Sequence, residues 1–208
     1  MNPSKHIECN DFPCGTIYRA SFTVPSISID QTKIAMVMIS ECAPAKPIDY
    51  YYAKGEPLFA QTTVQAFQDS GEQVSSINDL IDMGVYLTTA IKCTKHGPTI
   101  SKNMIGNCSR VLERELALFP NLKVIMLMGD AAIQGINEIA RRNINKRVIP
   151  AEAIYKIREA NHEYKGIRLY PSYLQAGPSF YIEKSKRKMI AEDIARAMKY
   201  IRQKEKHQ

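Results

Sequence analysis

Tryptophan is absent from this sequence, and cysteine and histidine are scarce, with five and four copies. A membrane-spanning helix needs about 20 consecutive apolar residues, and no run approaches that length, so we expect no segment that crosses a membrane. The N-terminal stretch MNPSKHIECN has no apolar run behind its lysine, so we expect no secretory signal. An odd number of cysteines argues against a closed set of disulfides. Together these absences predict a cytoplasmic protein with reduced thiols.

The chain also lacks internal repeats, low-complexity tracts and any linker rich in proline, serine and glycine. Its 208 residues, 45% hydrophobic and 24% charged, have the composition of a globular protein that buries one sizeable core. We therefore predict a single domain over residues 1–208, and we expect a monomer. An N-terminal arm over residues 1–32 carries two cysteines, and a basic helix is predicted over residues 184–208.

Positive charge is in excess, with a formal net charge of +7. The excess is concentrated from Lys184 to the end of the chain, where there are nine lysines and arginines but only three acidic residues. A basic surface favours a polyanionic partner such as nucleic acid, because binding releases counterions from the phosphates. The alternative is an ordinary solvated helix face.

Four short runs of apolar and β-branched residues predict buried strands. Each run is nearly continuous rather than alternating, which is typical of parallel strands that are covered on both faces. The segments between them have helical spacing or helix-starting residues. The sequence therefore predicts a three-layer α/β/α sandwich with a central four-stranded parallel sheet. In such sheets ligands bind outside the carboxyl ends of the strands. The four predicted strands are residues 33–40, 85–91, 123–129 and 166–172.

The residues at these strand ends follow one another in a familiar order. They resemble the uracil-DNA glycosylase superfamily, most closely its iron–sulfur branch, the family-4 type. Members read roughly G-E-A-P-G, G-x-P-F-V-G, Y-x-T-N-x-V-K-C, a further cysteine, L-G-x-x-A and H-P-S-x-L-L. The resemblance covers nearly the whole chain, from Cys9 to the last helix. The matching stretches here are SECAPA (40–45), GEPLFA (55–60), YLTTAIKC (86–93), Cys108, LMGDAA (127–132) and YPSYLQ (170–175).

The resemblance also implies a metal site. In that branch four cysteines hold one [4Fe–4S] cluster, and the positions that correspond here are Cys9, Cys14, Cys93 and Cys108. Four thiolates suit a structural zinc ion equally well. Four residues lie between the first two cysteines, where the family usually has two. The alternative is a set of buried reduced thiols. Cys42 is not expected to be a ligand.

The resemblance implies an enzyme that flips a nucleotide out of DNA and cleaves the bond between sugar and base. Glu41 is the candidate for stabilising the positive charge on the sugar and placing a water. A one-residue shift of the alignment would put Cys42 in the acid's place, and Asp49 is a second candidate acid. Phe59, or one of the tyrosines at 50–52, would stack on the base.

Two positions depart from the family pattern. Thr89 replaces the pocket asparagine, and a hydroxyl cannot pair with a uracil edge as an amide does. Tyr170 replaces the histidine, although its hydroxyl can still donate to the oxygen of a leaving base. Pro171 and Ser172 remain and, with Tyr173, are predicted to grip the DNA backbone.

Three functions follow from this pattern. The first is a DNA glycosylase that removes uracil or a related damaged base from single- or double-stranded DNA. The second is a nucleic-acid-binding module with the same fold and an altered pocket. The third is a small-molecule hydrolase on this scaffold, because a fold alone does not fix a function.

Overall fold

The computed structural model describes residues 1–9, 21–95, 97 and 99–206. The strands are β1 Met36–Ala43, β2 Val85–Thr94, β3 Val124–Met128, β4 His162–Tyr164 and β5 Ile167–Ser172. The helices are α1 Leu58–Asp69, α2 Ile77–Asp82, α3 Lys102–Leu116, α4 Asp130–Ile144, α5 Ile154–Ile157, α6 Ser179–Ile182 and α7 Lys184–Glu205. Within this described part, no helix is both long and apolar enough to cross a bilayer.

The strands form one sheet in the order β2-β1-β3-β5-β4. The four predicted strands are confirmed as β1, β2, β3 and β5, and these four pair with one another in parallel. The predicted strand count was wrong by one, because β4 pairs antiparallel with β5 at the edge. This strand has only three residues, with the exposed Glu163 at its centre. A pattern that short predicts no strand.

Both faces of the sheet are covered by helices, as predicted for a three-layer α/β/α sandwich. Met36 and Met38 pack with residues of α1 and α7 on one face. Val37 and Ile39 point to the other face and pack with α3 and α4. Because successive side chains of a strand point to opposite faces, burial on both sides requires a continuous apolar run.

The described part of the N-terminal arm covers the outer edge of the sheet. The backbone N–H of Thr23 donates to the Lys92 carbonyl at 2.7 Å, and the Thr94 N–H donates to the Ser21 hydroxyl at 2.9 Å. Farther along the same edge, the Tyr52 hydroxyl accepts from the Leu87 N–H at 2.8 Å. These contacts satisfy backbone groups of β2 that an edge strand otherwise leaves open to another chain.

Helix α4 begins at once after β3, and Gly129 makes this possible. Its φ is 95°, a conformation that residues with a side chain rarely adopt. After α4 the chain returns to the carboxyl ends of the strands, since Ala153 and Ile154 line a cavity together with Gly129 and Asp130. The carboxyl edge therefore gathers the segments that follow β1, β2, β3 and β5.

Candidate active site at the carboxyl edge of the sheet

Glu41 is placed at the carboxyl end of β1, where sequence analysis located the catalytic acid. Its carboxylate accepts a hydrogen bond from the Lys95 ammonium at 3.0 Å, and each side chain is 30% exposed. Lys95 directly follows β2, so this ion pair joins the ends of two neighbouring strands. The pair leaves a charged carboxylate open to solvent and to a ligand from outside the edge.

Cys42, which the shifted alignment would place as the acid, has a different environment. Its side chain is 9% exposed and packs with Ile91, Met104 and Ile105. Burial raises the pKa of the thiol to about 11, and the neighbouring charge of Glu41 adds to the increase. A thiol with this pKa is neutral at physiological pH and cannot stabilise a cation. The local chemistry therefore favours Glu41 for the acid's role.

Asp49, the second candidate acid, ends a single 3₁₀ turn at Pro47–Asp49 in the loop after β1. It is partly exposed, and its backbone N–H donates to the Lys46 carbonyl at 2.9 Å. Asp49 thus shares a loop with Glu41 but precedes a buried run of tyrosines.

Phe59 lies in the first turn of α1 and is partly exposed. Its ring packs against that of Tyr51, with centroids 5.4 Å apart. A Cβ built on Gly177, in the segment after β5, would lie 3.8 Å from Phe59 Cε1. Phe59 is therefore the point at which the segments after β1 and β5 meet.

The tyrosines that were alternatives to Phe59 hold the loop in place. Tyr50 and Tyr51 are buried, at 5% and 1% exposure. Tyr52 is partly exposed, but its hydroxyl is hydrogen-bonded to the backbone of Leu87. Of these aromatic rings, Phe59 is the one best placed to receive a base.

Thr89 pairs with Ser40 in the middle of β2, five positions before the strand ends at Thr94, and is fully buried. Its hydroxyl donates to the Ile91 carbonyl at 2.9 Å. The hydroxyl proton is thus used within its own strand and does not point toward a base in this conformation.

Tyr170 lies inside the sheet and not at its edge. It pairs with Met126, two positions before β5 ends, and packs in the core formed with α1 and α7. The Arg168 guanidinium lies 5.3 Å from the ring centroid. Burial raises the pKa of the tyrosine hydroxyl, which therefore stays protonated. Tyr170 is thus buried in the sheet, in the core cluster against which Phe59 also packs.

The three residues after Tyr170 divide between the interior and the surface. Pro171 and Ser172 are buried, and the Ser172 hydroxyl donates to Asp193 at 2.6 Å. Tyr173 is partly exposed, with the Lys186 ammonium 5.5 Å from its ring centroid. A contact between this segment and a DNA phosphate would therefore involve Tyr173 and not the Ser172 hydroxyl.

Sequence analysis missed a buried charge cluster beneath this segment. Asp193 of α7 is fully buried and accepts from Ser172 and from Arg158, whose Nη2 lies 2.9 Å from it. Burial raises the pKa of Asp193, and the hydrogen bonds from Ser172 and Arg158 partly offset this. The cluster ties β5 to α7. An acid and an arginine 35 residues apart give no sequence pattern that predicts their contact.

The candidate metal ligands that the structure describes lie on β2, on α3 and in the N-terminal arm. Cys93 ends β2, Cys108 lies on α3, and both are buried. Cys9 is half-buried and packs near Val111, which follows Cys108 by one helical turn. Cys14 lies outside the described residues. Among residues 1–9, 21–95, 97 and 99–206, no group of three or more histidine, cysteine or acidic side chains is arranged to hold a metal ion.

A sequence model described as the uracil DNA glycosylase superfamily matches residues 45–195, well over half of the chain. The chain belongs to the uracil DNA glycosylase superfamily. Members of this superfamily act on DNA, and membership supports a DNA glycosylase-like function. A search of curated proteins finds no significant match.

The surface that this superfamily member presents at the carboxyl edge suits a DNA partner. Ile48, in the 3₁₀ turn after β1, is 65% exposed, and Ile182, at the end of α6 in the segment after β5, is 77% exposed. Lys46 and Lys184 are exposed beside them. Lysines attract phosphates, while exposed apolar side chains can contact bases or enter between them.

Proposed function

We propose that this protein hydrolyses the N-glycosidic bond of uracil or a related damaged base that is flipped out of DNA. The observation that carries the proposal is the joint placement of Glu41 and Phe59 at the carboxyl edge. One supplies an accessible carboxylate and the other an accessible aromatic face. The superfamily match, which includes Phe59, supports the same reaction class.

In this reaction the bond between C1′ of the sugar and the base nitrogen breaks, and the base leaves with the electron pair. The Glu41 carboxylate stabilises the positive charge that develops at C1′ and orients the attacking water. The water oxygen bonds to C1′, and its proton is released to the carboxylate or to solvent. The Phe59 ring stacks on the flipped base and holds it in line. Asp49 is the alternative acid on the same loop.

DNA binding uses the basic and apolar surface around this edge. Lysine contacts to phosphates supply affinity that decreases with salt. Tyr173, with Lys186 over its ring, extends this surface beyond β5. The flipped nucleotide would enter between the segments that follow β1 and β5.

We further propose that Cys9, Cys14, Cys93 and Cys108 hold a [4Fe–4S] cluster, with structural zinc as the alternative. Support comes from the donor chemistry, which suits both groups. It also comes from the packing of α3, which carries Cys108, against β2, which carries Cys93. Such a group would cross-link the N-terminal arm to the body of the protein.

A catalytically altered nucleic-acid-binding module is the second candidate. It is favoured by Thr89 and Tyr170, whose side chains replace an amide and an imidazole. The Thr89 hydroxyl donates to a backbone carbonyl, and Tyr170 packs toward α7. Neither presents a polar group to a base in this conformation. This function predicts salt-dependent binding to DNA or RNA with no abasic product.

Base release from labelled uracil-containing oligonucleotides, single- and double-stranded, tests the proposal. Abasic sites should appear with the wild-type protein. Glu41→Gln should lower their rate by about 100-fold or more while DNA binding persists. Glu163→Gln, which alters an exposed glutamate of the edge strand β4, is the matched control and should release base at the wild-type rate. Activity that survives Glu41→Gln but is lost in Asp49→Asn would make Asp49 the acid. Intact strands with bound DNA would favour the binding module.

A further inference from the structure

Gln175 is fully buried in the segment after β5, at the centre of a polar network under the candidate site. Its Oε1 accepts a hydrogen bond from the Ser40 hydroxyl at 3.2 Å. Its Nε2 donates to the Tyr51 hydroxyl at 3.2 Å and to the Thr63 hydroxyl at 3.3 Å. The hydroxyls of Ser40 and Tyr51 are also hydrogen-bonded to each other. One amide thus joins β1, the loop after β1 and α1 to the segment after β5.

Each partner of Gln175 directly adjoins a residue of the proposed mechanism, through the chain, a ring contact or a hydrogen bond. Ser40 directly precedes Glu41 in β1. The ring of Tyr51 packs against the ring of Phe59. The Thr63 hydroxyl donates to the Phe59 carbonyl at 2.7 Å. The same amide therefore connects the backbone that carries the acid with both the ring and the backbone of the stacking residue.

Packing alone does not account for an amide at this position. The superfamily pattern H-P-S-x-L-L has leucine where this chain has Gln175. A buried amide costs free energy unless its donors and acceptor are all satisfied. Leucine would fill similar volume without that cost, but it could not accept from Ser40 and donate to Thr63 at once.

We infer that Gln175 is a positioning residue that sets the separation between Glu41 and Phe59, and hence the width of the base pocket. The inference rests on the proposed function for those two residues. Because Gln175 is fully buried, it acts through Ser40, Tyr51 and Thr63 and does not touch the substrate.

Kinetics of the Gln175→Leu variant test this role. Displacement of a reacting group by about 1 Å can cost about 100-fold in rate, so we expect kcat for base release to fall by about 10- to 100-fold. KM should change by less than about threefold, because the DNA-binding surface is intact. Gln203→Leu, on the exposed end of α7, is the control and should match wild type. A kcat within about twofold of wild type, or a change confined to KM, would overturn the inference.

A second readout does not need catalysis. The chain has no tryptophan, so Phe59→Trp creates a single fluorescent reporter at the stacking position. Adding Gln175→Leu should shift its emission maximum and change its quenching by acrylamide, while adding Gln203→Leu should change neither. An unchanged reporter would overturn the inference.

The two readouts separate the failure of this inference from the failure of the proposed function. A wild-type protein that releases no base would reject the glycosylase, yet the tryptophan reporter would still decide whether Gln175 positions residue 59. If Gln175→Leu does not fold, Ser40→Ala replaces it, because it removes the hydrogen bond that the Gln175 Oε1 accepts. It should change the reporter in the same direction, and an unchanged signal would again overturn the inference.

Discussion

Lys92 of β2 and Glu115 of α3 form an ion pair in which both side chains are fully buried. The ammonium group also donates to the Thr88 hydroxyl at 2.7 Å and to the Thr89 carbonyl at 2.6 Å. The carboxylate accepts from the Tyr86 hydroxyl at 2.8 Å. A buried pair offsets the cost of its desolvation only when such further hydrogen bonds are present. The network therefore fixes α3 against β2, the two elements that carry Cys108 and Cys93.

Glu115→Gln should strongly destabilise the fold, because it leaves the Lys92 charge buried without a counter-charge. Breaking a buried pair on one side costs about 3–5 kcal/mol, measurable as the free energy of unfolding in urea. Adding Lys92→Met should recover a large part of the loss, since it removes the orphaned charge.

Glu138→Gln is the control for this pair. Glu138 pairs with Arg141 on α4, and the two side chains are 35% and 37% exposed. An exposed pair contributes less than about 1 kcal/mol. A loss in Glu115→Gln as small as that of the control, or no recovery in the double variant, would contradict the network's role.

The sequence predicted the parts of this protein that depend on local pattern. Continuous apolar runs such as residues 36–39 predicted the parallel strands, because burial on both faces leaves no room for polar alternation. The strand-end rule directed attention to the end of β1 and the segment after it, where the structure has Glu41 and Phe59, while their roles stay a prediction. Long-range polar contacts, such as Gln175 with Ser40, were missed because partners 135 residues apart leave no periodic signal.

The sequence also could not predict which way the side chains at the family-motif positions point. Tyr170 follows the order of the family motif, yet its side chain packs inside the core. A motif fixes the position of a residue along a strand, whereas the direction of its side chain depends on the strand's length and pairing. Lys92 was misjudged in the opposite direction. A lysine at the end of an apolar run predicts the end of a strand at the surface, but Lys92 is fully buried.

The Cys42 thiol should resist modification by thiol reagents near neutral pH. Its pKa is raised to about 11, chiefly by burial, and the thiolate is the nucleophile. Mass spectrometry at pH 8 should therefore detect nearly the same amount of fast alkylation in Cys42→Ser as in the wild type. The variant should also release base at a rate within about threefold of wild type. Rapid labelling of Cys42 in the folded protein would show that the thiol is more accessible than its packing indicates.

The ion pair between Asp69 and Arg187 should make the α1–α7 contact depend on pH. The Arg187 guanidinium, which donates from Nη2 at 2.8 Å, lowers the pKa of Asp69 below its usual 3.8. A lowered carboxyl pKa contributes stability above the unfolded pKa, and this stability is lost as pH falls through the folded value.

Asp69→Asn should therefore be less stable than wild type at pH 7, by less than about 1 kcal/mol because both groups are partly exposed. The difference should shrink as pH falls below 3.8. Urea unfolding at pH 7 and at pH 3 measures it, and Arg187→Gln should give the same pH dependence. A difference that grows at low pH would show that the pair does not lower the pKa of Asp69.

The proposed cluster makes a prediction that the five cysteines can test within one chain. A [4Fe–4S] group should give brown protein with broad visible absorbance after oxygen-free purification, and elemental analysis should find iron and sulfide. Zinc would leave the protein colourless. Cys93→Ser and Cys108→Ser should each lose the bound metal. Cys42→Ser should keep it, because Cys42 is not one of the four proposed ligands, although it packs in the same cluster as Cys108.

Metal removal should also affect stability, because a group bound only by the folded state contributes its binding free energy to folding. A chelator, or the Cys108→Ser change, should lower Tm and expose the N-terminal arm to proteolysis, since Cys9 and α3 would no longer be cross-linked. The contacts of Thr23 with Lys92 and of Ser21 with Thr94 would still attach the arm to β2. Wild-type protein that holds no metal as isolated, and whose Tm and protease resistance do not change on chelation, would reject the metal site and leave buried reduced thiols as the correct interpretation.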